Sequence, residues 1–230
     1  MYSSGGLDIR HVSKVYNGYI FLSTNSAALQ VVNLNTDPLA PVLSTTINQA
    51  GESIRSFSGA TNYIFSAGGT AKRLYISDIS NLPSYTAVAG LLHNNTATEI
   101  VLDAFVSGNF LYTGTGNDSI NSSLTIWNIT TPALATGVSA FQTTQPVRQV
   151  LVSGNYAFLA ESANGLHVVN VTNKSAPVHT AYVTGIGSAA TAAAYASYVY
   201  VGSSSGLHVI DVSNPTVPVL RTTLNVGSVL

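Results

Sequence analysis

The chain has no cysteine, one methionine and one tryptophan among 230 residues. Without cysteine there is no disulfide framework, no thiol nucleophile and no thiolate metal ligand. Charge is equally scarce: charged residues make up 7% of the chain, where a typical soluble domain carries about a quarter. Eight Lys+Arg stand against nine Asp+Glu, a net charge of −1, so the basic excess used by nucleic-acid binders is missing. Hydrophobic residues reach 46%, which excludes intrinsic disorder, a state of low hydrophobicity and high net charge. No apolar run approaches the ~18 residues of a membrane span. Met1 to Gly6 show no basic stretch leading into an apolar one, so they do not read as a signal peptide. A chain this poor in lysine (Lys14, Lys72 and Lys174) and rich in Ser, Thr, Asn and Ala has the composition of an exported surface protein.

What is present is a repeat. Five aromatic-x-aromatic pairs recur: Tyr19/Phe21, Tyr63/Phe65, Phe110/Tyr112, Tyr156/Phe158 and Tyr198/Tyr200. Their first members are 44, 47, 46 and 42 residues apart. After each pair comes a second matching segment: Leu29 to Leu34, Leu74 to Ile79, Leu124 to Ile129, Leu166 to Val171 and Leu207 to Val212. Each has an Asn or Asp as its last residue but one, and is followed by Pro38, Pro83, Pro132, Pro177 or Pro215. Residues i and i+2 of a strand share a face, so each aromatic pair points one way. β-Branched and aromatic residues bounded by Gly, Asn, Ser and Pro indicate strands, and the Asn/Asp positions predict turns. Each period therefore reads as four strands, a to d, with strand a before the Gly-Asn that precedes the aromatics and strand d after the proline. The alanine-rich run Ser188 to Ala194 has helix propensity, but its alignment with Val147 to Val152 makes it strand a of the fifth repeat.

Four-stranded repeats of 42–47 residues predict an all-β, five-bladed β-propeller. It is a single domain over residues 1–230, with blades at about 9–52, 53–99, 100–146, 147–188 and 189–230. Strands buried on both faces by blade stacking explain the nearly continuous apolar third segments. The phase leaves no spare strand to complete a blade from the opposite terminus, so closure would rest on blade 1 packing against blade 5. The segments Gly154-Asn155-Tyr156-Ala157-Phe158 with Gly165-Leu166-His167-Val168-Val169-Asn170-Val171, and Gly206-Leu207-His208-Val209-Ile210-Asp211-Val212-Ser213-Asn214-Pro215, resemble the LVIVD-repeat family. That resemblance implies a propeller and a setting at the surface of bacteria or archaea; it carries no catalytic residues.

Strand a lines the central channel of a propeller, and its first positions face the mouth where the d–a and b–c loops lie. Three repeats place arginine there, Arg10, Arg55 and Arg148; the third has Leu102-Asp103 and the fifth Ala190. Glu52 and Glu99 fall in the preceding d–a links. The candidate ligand site is therefore Arg10, Arg55, Arg148, Glu52, Glu99 and Asp103. Guanidinium forks suit carboxylate, phosphate or sulfated ligands; mutual neutralisation of Arg and Glu at the rim is the plainer alternative. His167 and His208 occupy equivalent places, but their counterparts Gln30, Tyr75 and Thr125 complete no metal set, so packing is expected of them. His11, His93 and His179 fall in no pattern. No metal or cofactor is expected.

Catalysis finds little to stand on. There is no Gly-x-Ser-x-Gly elbow, and arginines near Glu52, Glu99 and Asp103 neutralise the carboxylates that glycoside hydrolysis would need. The expectation is a non-catalytic surface or secreted module, a monomer with an oligomer as the alternative, binding a glycan, peptide or protein through its loop face. It involves neither nucleic acid nor membrane insertion. The alternatives are a structural blade array, as part of a longer surface protein, and, behind it, a carbohydrate-active hydrolase.

Overall fold

The aromatic pairs fall on the second strand of each of five antiparallel sheets in the computed structural model. The structure describes residues 9–12, 15–24, 28–48, 54–68, 73–92, 100–116 and 122–229, with backbone alone at 9–11 and 89–92. Blade 1 comprises β1 (Ile9–Val12), β2 (Tyr19–Thr24), β3 (Ala28–Asn33) and β4 (Val42–Asn48). Blade 2 follows with β5 (Ile54–Ala60), β6 (Tyr63–Gly68), β7 (Arg73–Asp78) and β8 (Thr86–Leu92). Blade 3 has β9 (Val101–Ser107), β10 (Phe110–Thr115), β11 (Ser122–Asn128) and β12 (Thr136–Thr143), with a 3-10 turn at Pro132–Leu134. Blade 4 is β13 (Gln149–Ser153), β14 (Tyr156–Ala160), β15 (Leu166–Asn170) and β16 (Val178–Val183). Blade 5 is β17 (Ala189–Tyr195), β18 (Tyr198–Ser203), β19 (Gly206–Asp211) and β20 (Val219–Leu224). Strand order follows chain order in every sheet. The alanine-rich run is indeed a strand, β17, held by its ladder with β18.

The turn residues do what their chemistry dictates. Asn33, Asp78, Asn128, Asn170 and Asp211 each accept, at 2.8–2.9 Å, the backbone N–H two residues on. These side-chain caps close the link between third and fourth strands. The Gly-Leu of the last two repeats also has a cause. Gly165 and Gly206 sit at φ +79° and +127°, and a Cβ there would run into the carbonyl oxygens of Val183 and Leu224.

Apolar clusters join successive blades. Phe21, Leu29 and Val31 of blade 1 pack on Ile54, Phe57 and Ile64 of blade 2. Phe65 and Ile76 of blade 2 meet Val101, Leu111 and Trp127 of blade 3. Tyr112 and Ile126 meet Val150, Leu159 and Val169 of blade 4. Phe158, Leu166 and Val168 meet Val199, Val201 and Ile210 of blade 5. Each such side chain contributes roughly 1.5–3 kcal/mol on full burial, so the stack is stabilised chiefly between sheets. The seam expected between blades 5 and 1 is of another kind. No apolar cluster of described residues spans it, and Tyr200, Leu207 and Val209 on the outward face of blade 5 are only half-buried.

Candidate ligand site at the channel mouth

The inner strands carry the site, and a register slip builds it. In β1, β5, β9 and β17 the ladder with the second strand skips one residue, namely Arg10, Arg55, Leu102 and Ala190. Arg148 holds the same place in blade 4, immediately before the ladder residue Gln149, its N–H bonded to the Ala160 carbonyl at 2.8 Å. Such bulges re-aim a side chain away from the pleat. Here Arg55, Leu102, Arg148 and Ala190, from four blades, line one open recess of about 250 Å³. Both arginines are exposed. Arg148 is anchored by its Nε, which donates to Ser162 Oγ at 3.1 Å; that hydroxyl in turn donates to the Pro146 carbonyl at 3.1 Å.

The other candidates are placed differently. Arg10 has its backbone at the equivalent bulge of β1, and its side chain lies outside the described residues. Glu52 and Glu99 lie outside them altogether. Asp103 is described, and it sits not at the mouth but buried in the channel wall. Its Oδ1 accepts the Ser56 hydroxyl from blade 2, and its Oδ2 accepts the Val150 N–H of blade 4 at 2.7 Å. Gln149 repeats the arrangement one blade on, its Oε1 taking the Thr191 hydroxyl and the Ala192 N–H, both at 2.6 Å. Ser58 Oγ accepts the Val106 N–H at 3.0 Å, and Tyr16 Oη the Gly59 N–H at 3.3 Å. Each inner strand is a sheet edge with outward-pointing amides, and side chains from adjoining blades satisfy them. These residues surround a second cavity of about 450 Å³, lined in part by Ser56, Ser58, Asp103, Phe105 and Gln149.

A third polar group escaped the sequence reading. Glu161, fully buried, accepts Thr144 and Gln145 N–H groups at 3.2 Å and the Asn164 amide at 2.7 Å, all on Oε1. Its Oε2 pairs with His167 Nδ1 at 2.5 Å, and His167 Nε2 bonds His179 Nδ1 at 2.9 Å. The ring of Tyr182 lies over His167 with centroids 4.0 Å apart; burial first, and the Glu161 charge second, raise its phenol above the usual tyrosine range. His179, which fell in no sequence pattern, is thus the outer end of this chain. The available signal was Glu161 itself, standing where the other repeats have Thr24, Gly68, Thr115 and Ser203. Both imidazole nitrogens of His167 are committed, one to the carboxylate and one to His179. Among the described residues no group of three or more His, Asp or Glu is arranged to hold a metal ion. No helix among them is long and apolar enough to cross a membrane.

Residues 146–184 and 186–226 match the model of the LVIVD repeat. The chain carries LVIVD repeats. These two LVIVD units coincide with blades 4 and 5 and their linking turns. Among curated proteins none matches the sequence. The fold itself recurs in solved structures at 12% identity. A protein from Lactobacillus plantarum superposes with a TM-score of 0.81 over 94% of this chain and 71% of its own. A functionally unknown protein from Desulfotomaculum acetoxidans gives 0.77 over 96% and 72%. The computationally designed Ika8 protein gives 0.70 over 94%, and this chain spans 61% of its length.

Proposed function

We propose that this LVIVD propeller is a non-catalytic binding module of a cell surface or secreted setting, and that it takes an anionic group at its channel mouth. The observation that carries the reading is the convergence of Arg55 and Arg148 on one recess from two blades. Two guanidinium forks about one concavity match a carboxylate, sulfate or phosphate, each arginine presenting several N–H donors in a plane. In a chain with 17 charged side chains (eight basic and nine acidic), two cations at one mouth are a marked concentration. Leu102 and Ala190 supply apolar wall beside them, so a ligand with both an acidic group and a carbon skeleton, such as a uronic-acid glycan or an acidic peptide, fits the recess. The commitment of Asp103 to Ser56 and Val150 argues against a role for it as a reacting carboxylate.

The test is a binding screen of uronic-acid and sulfated glycans and of acidic peptides, followed by calorimetry on the Arg55→Ala/Arg148→Ala variant. Loss of at least about tenfold in affinity, with a thermal midpoint near that of the parent, is the expected outcome; tenfold corresponds to about 1.4 kcal/mol. Equal binding by parent and variant sinks the reading. Turnover of a polysaccharide would move the protein to the hydrolase class.

A further inference from the structure

The cavity of about 450 Å³ is built by the stretches of inner strand that follow the arginine recess in the chain. Ser56, Asp103 and Gln149 hold the place after the skipped residue in blades 2, 3 and 4, so they form one belt around the channel. Ser58 and Phe105 stand two residues further along β5 and β9, on the same face of their strands. Blade 1 contributes the ring of Tyr16, which lies against β5 because Gly59 has no side chain: a Cβ there would meet Tyr16 Cζ at 2.7 Å. Gly59 is not in the left-handed region, so the close approach of this ring is the reason for a glycine inside a strand.

The polar atoms of this wall divide unevenly between donors and acceptors. Asp103 takes the Ser56 O–H and the Val150 N–H, and Gln149 Oε1 takes the Thr191 O–H and the Ala192 N–H. Ser58 Oγ and Tyr16 Oη accept the backbone N–H groups of Val106 and Gly59. Their own O–H groups, and the Nε2 amide of Gln149, meet no acceptor among the described residues. A hydroxyl carries one donor and a primary amide two. Three blades therefore offer unspent donors, from Tyr16, Ser58 and Gln149, to whatever enters. The Asp103 carboxylate in the same wall disfavours a second anion, and the Phe105 and Tyr16 rings supply apolar surface beside the donors.

We propose that this cavity is a second ligand site, distinct from the arginine recess, and that it takes an uncharged sugar ring. The ring and hydroxyl oxygens of the sugar accept from Tyr16, Ser58 and Gln149, while its C–H face lies on the Phe105 side chain. The cavity falls inside the roughly 300–1,000 Å³ of small-molecule pockets. The inference is independent of the proposed function: the cavity shares no lining residue with the recess. It stands whether or not Arg55 and Arg148 bind an anion. A free monosaccharide and the terminal residue of a neutral glycan present the same oxygens, and the test separates them.

The probes are the methyl glycosides of glucose, galactose, mannose, xylose and N-acetylglucosamine, and neutral oligosaccharides that end in the same sugars. In nitrogen-labelled protein at millimolar sugar, at least one probe is expected to move the Gln149 side-chain amide signals, identified by their loss in Gln149→Glu. Gln149→Glu keeps the Oε1 acceptor for Thr191 and Ala192 but removes the amide donor, and Tyr16→Phe removes one O–H. The Tyr16→Phe/Gln149→Glu variant is expected to weaken that sugar at least about tenfold. Tyr16→Phe alone, which adds neither bulk nor charge, is expected to weaken it at least about threefold, and it decides the matter if the double variant does not fold. Arg55→Ala/Arg148→Ala is expected to bind it within about twofold of the parent. A methyl glycoside that binds as tightly as the oligosaccharide assigns the site to a free sugar, and a preference of about tenfold for the oligosaccharide assigns it to a glycan end. Three results overturn the proposal: no probe moves the Gln149 signals, which leaves the cavity to water alone; the folded Tyr16 and Gln149 variants bind like the parent; or the arginine variant loses the sugar, which places it at the mouth.

Discussion

His208 shows how a single buried side chain ties stability to pH. Its Nε2 lies 2.8 Å from Ser203 Oγ and its Nδ1 2.9 Å from Thr223 Oγ1, both hydroxyls, so it has polar partners without a countercharge. Burial accordingly lowers its pKa below the ordinary 6.5. The folded state then binds fewer protons than the unfolded chain, and stability from this group is present above about pH 6.5 and declines as pH falls. Thermal midpoints followed from pH 8 to pH 5 should fall for the parent, and the His208→Gln variant should show a shallower fall; parallel curves would remove His208 from the account. His167, its counterpart one blade back, has Glu161 in the place of Ser203, which supplies a carboxylate. The same imidazole position is neutral-partnered in one blade and acid-partnered in the next. On the outer surface Asp211 is held down to about 2 by the Ser213 N–H first and by Arg221 second, so its carboxylate stays charged well into acid.

At the scale of elements, the inner strands decide whether the stack holds. Asp103 and Gln149 each capture a backbone N–H of the following blade, Val150 and Ala192. Replacing Asp103 with Ala strands the Val150 N–H and the Ser56 hydroxyl in a buried site, and an unsatisfied buried donor costs about 1–3 kcal/mol. The expected loss on denaturant unfolding is about 2–3 kcal/mol for Asp103→Ala and less for Asp103→Asn, which keeps one acceptor. Equal losses would show that packing rather than hydrogen bonding is at stake. Strand type and order were legible in the sequence, because the aromatic pair and the Asn/Asp turn recur with the period of the sheet. The convergence of Arg55, Leu102, Arg148 and Ala190 was legible too, from their shared place at the head of strand a. The slip that turns them outward was not, since a one-residue bulge leaves no mark in composition. Asp103 was misplaced for the same reason: the residue after the bulge returns to the ladder and faces the wall. The Glu161–His167–His179 chain joins the end of β14's loop to two outer strands, contacts that no repeat spacing encodes.

The whole molecule is a row of sheets that hold one another by neighbouring faces, and its stability is distributed accordingly. Among the described residues blade 4 shares apolar clusters with blades 3 and 5, and blade 5 shares one with blade 4. Every residue of β20 is exposed, whereas β16 has partly buried positions and a buried Val183. Local opening free energy follows buried contact, so blade 5 opens before blade 4. Hydrogen exchange resolved by peptide should show β20 exchanging well before β16, and β19 before β15. Uniform exchange across blades 4 and 5 would mean that the outward face is already protected.

Because the skipped residue at the head of each inner strand belongs to neither ladder nor core, it is free to change over generations while the sheet behind it stays put. Arginine, leucine and alanine already share that place within one molecule. The lining of the mouth can therefore be altered one blade at a time, each exchange leaving the stacking beneath it untouched.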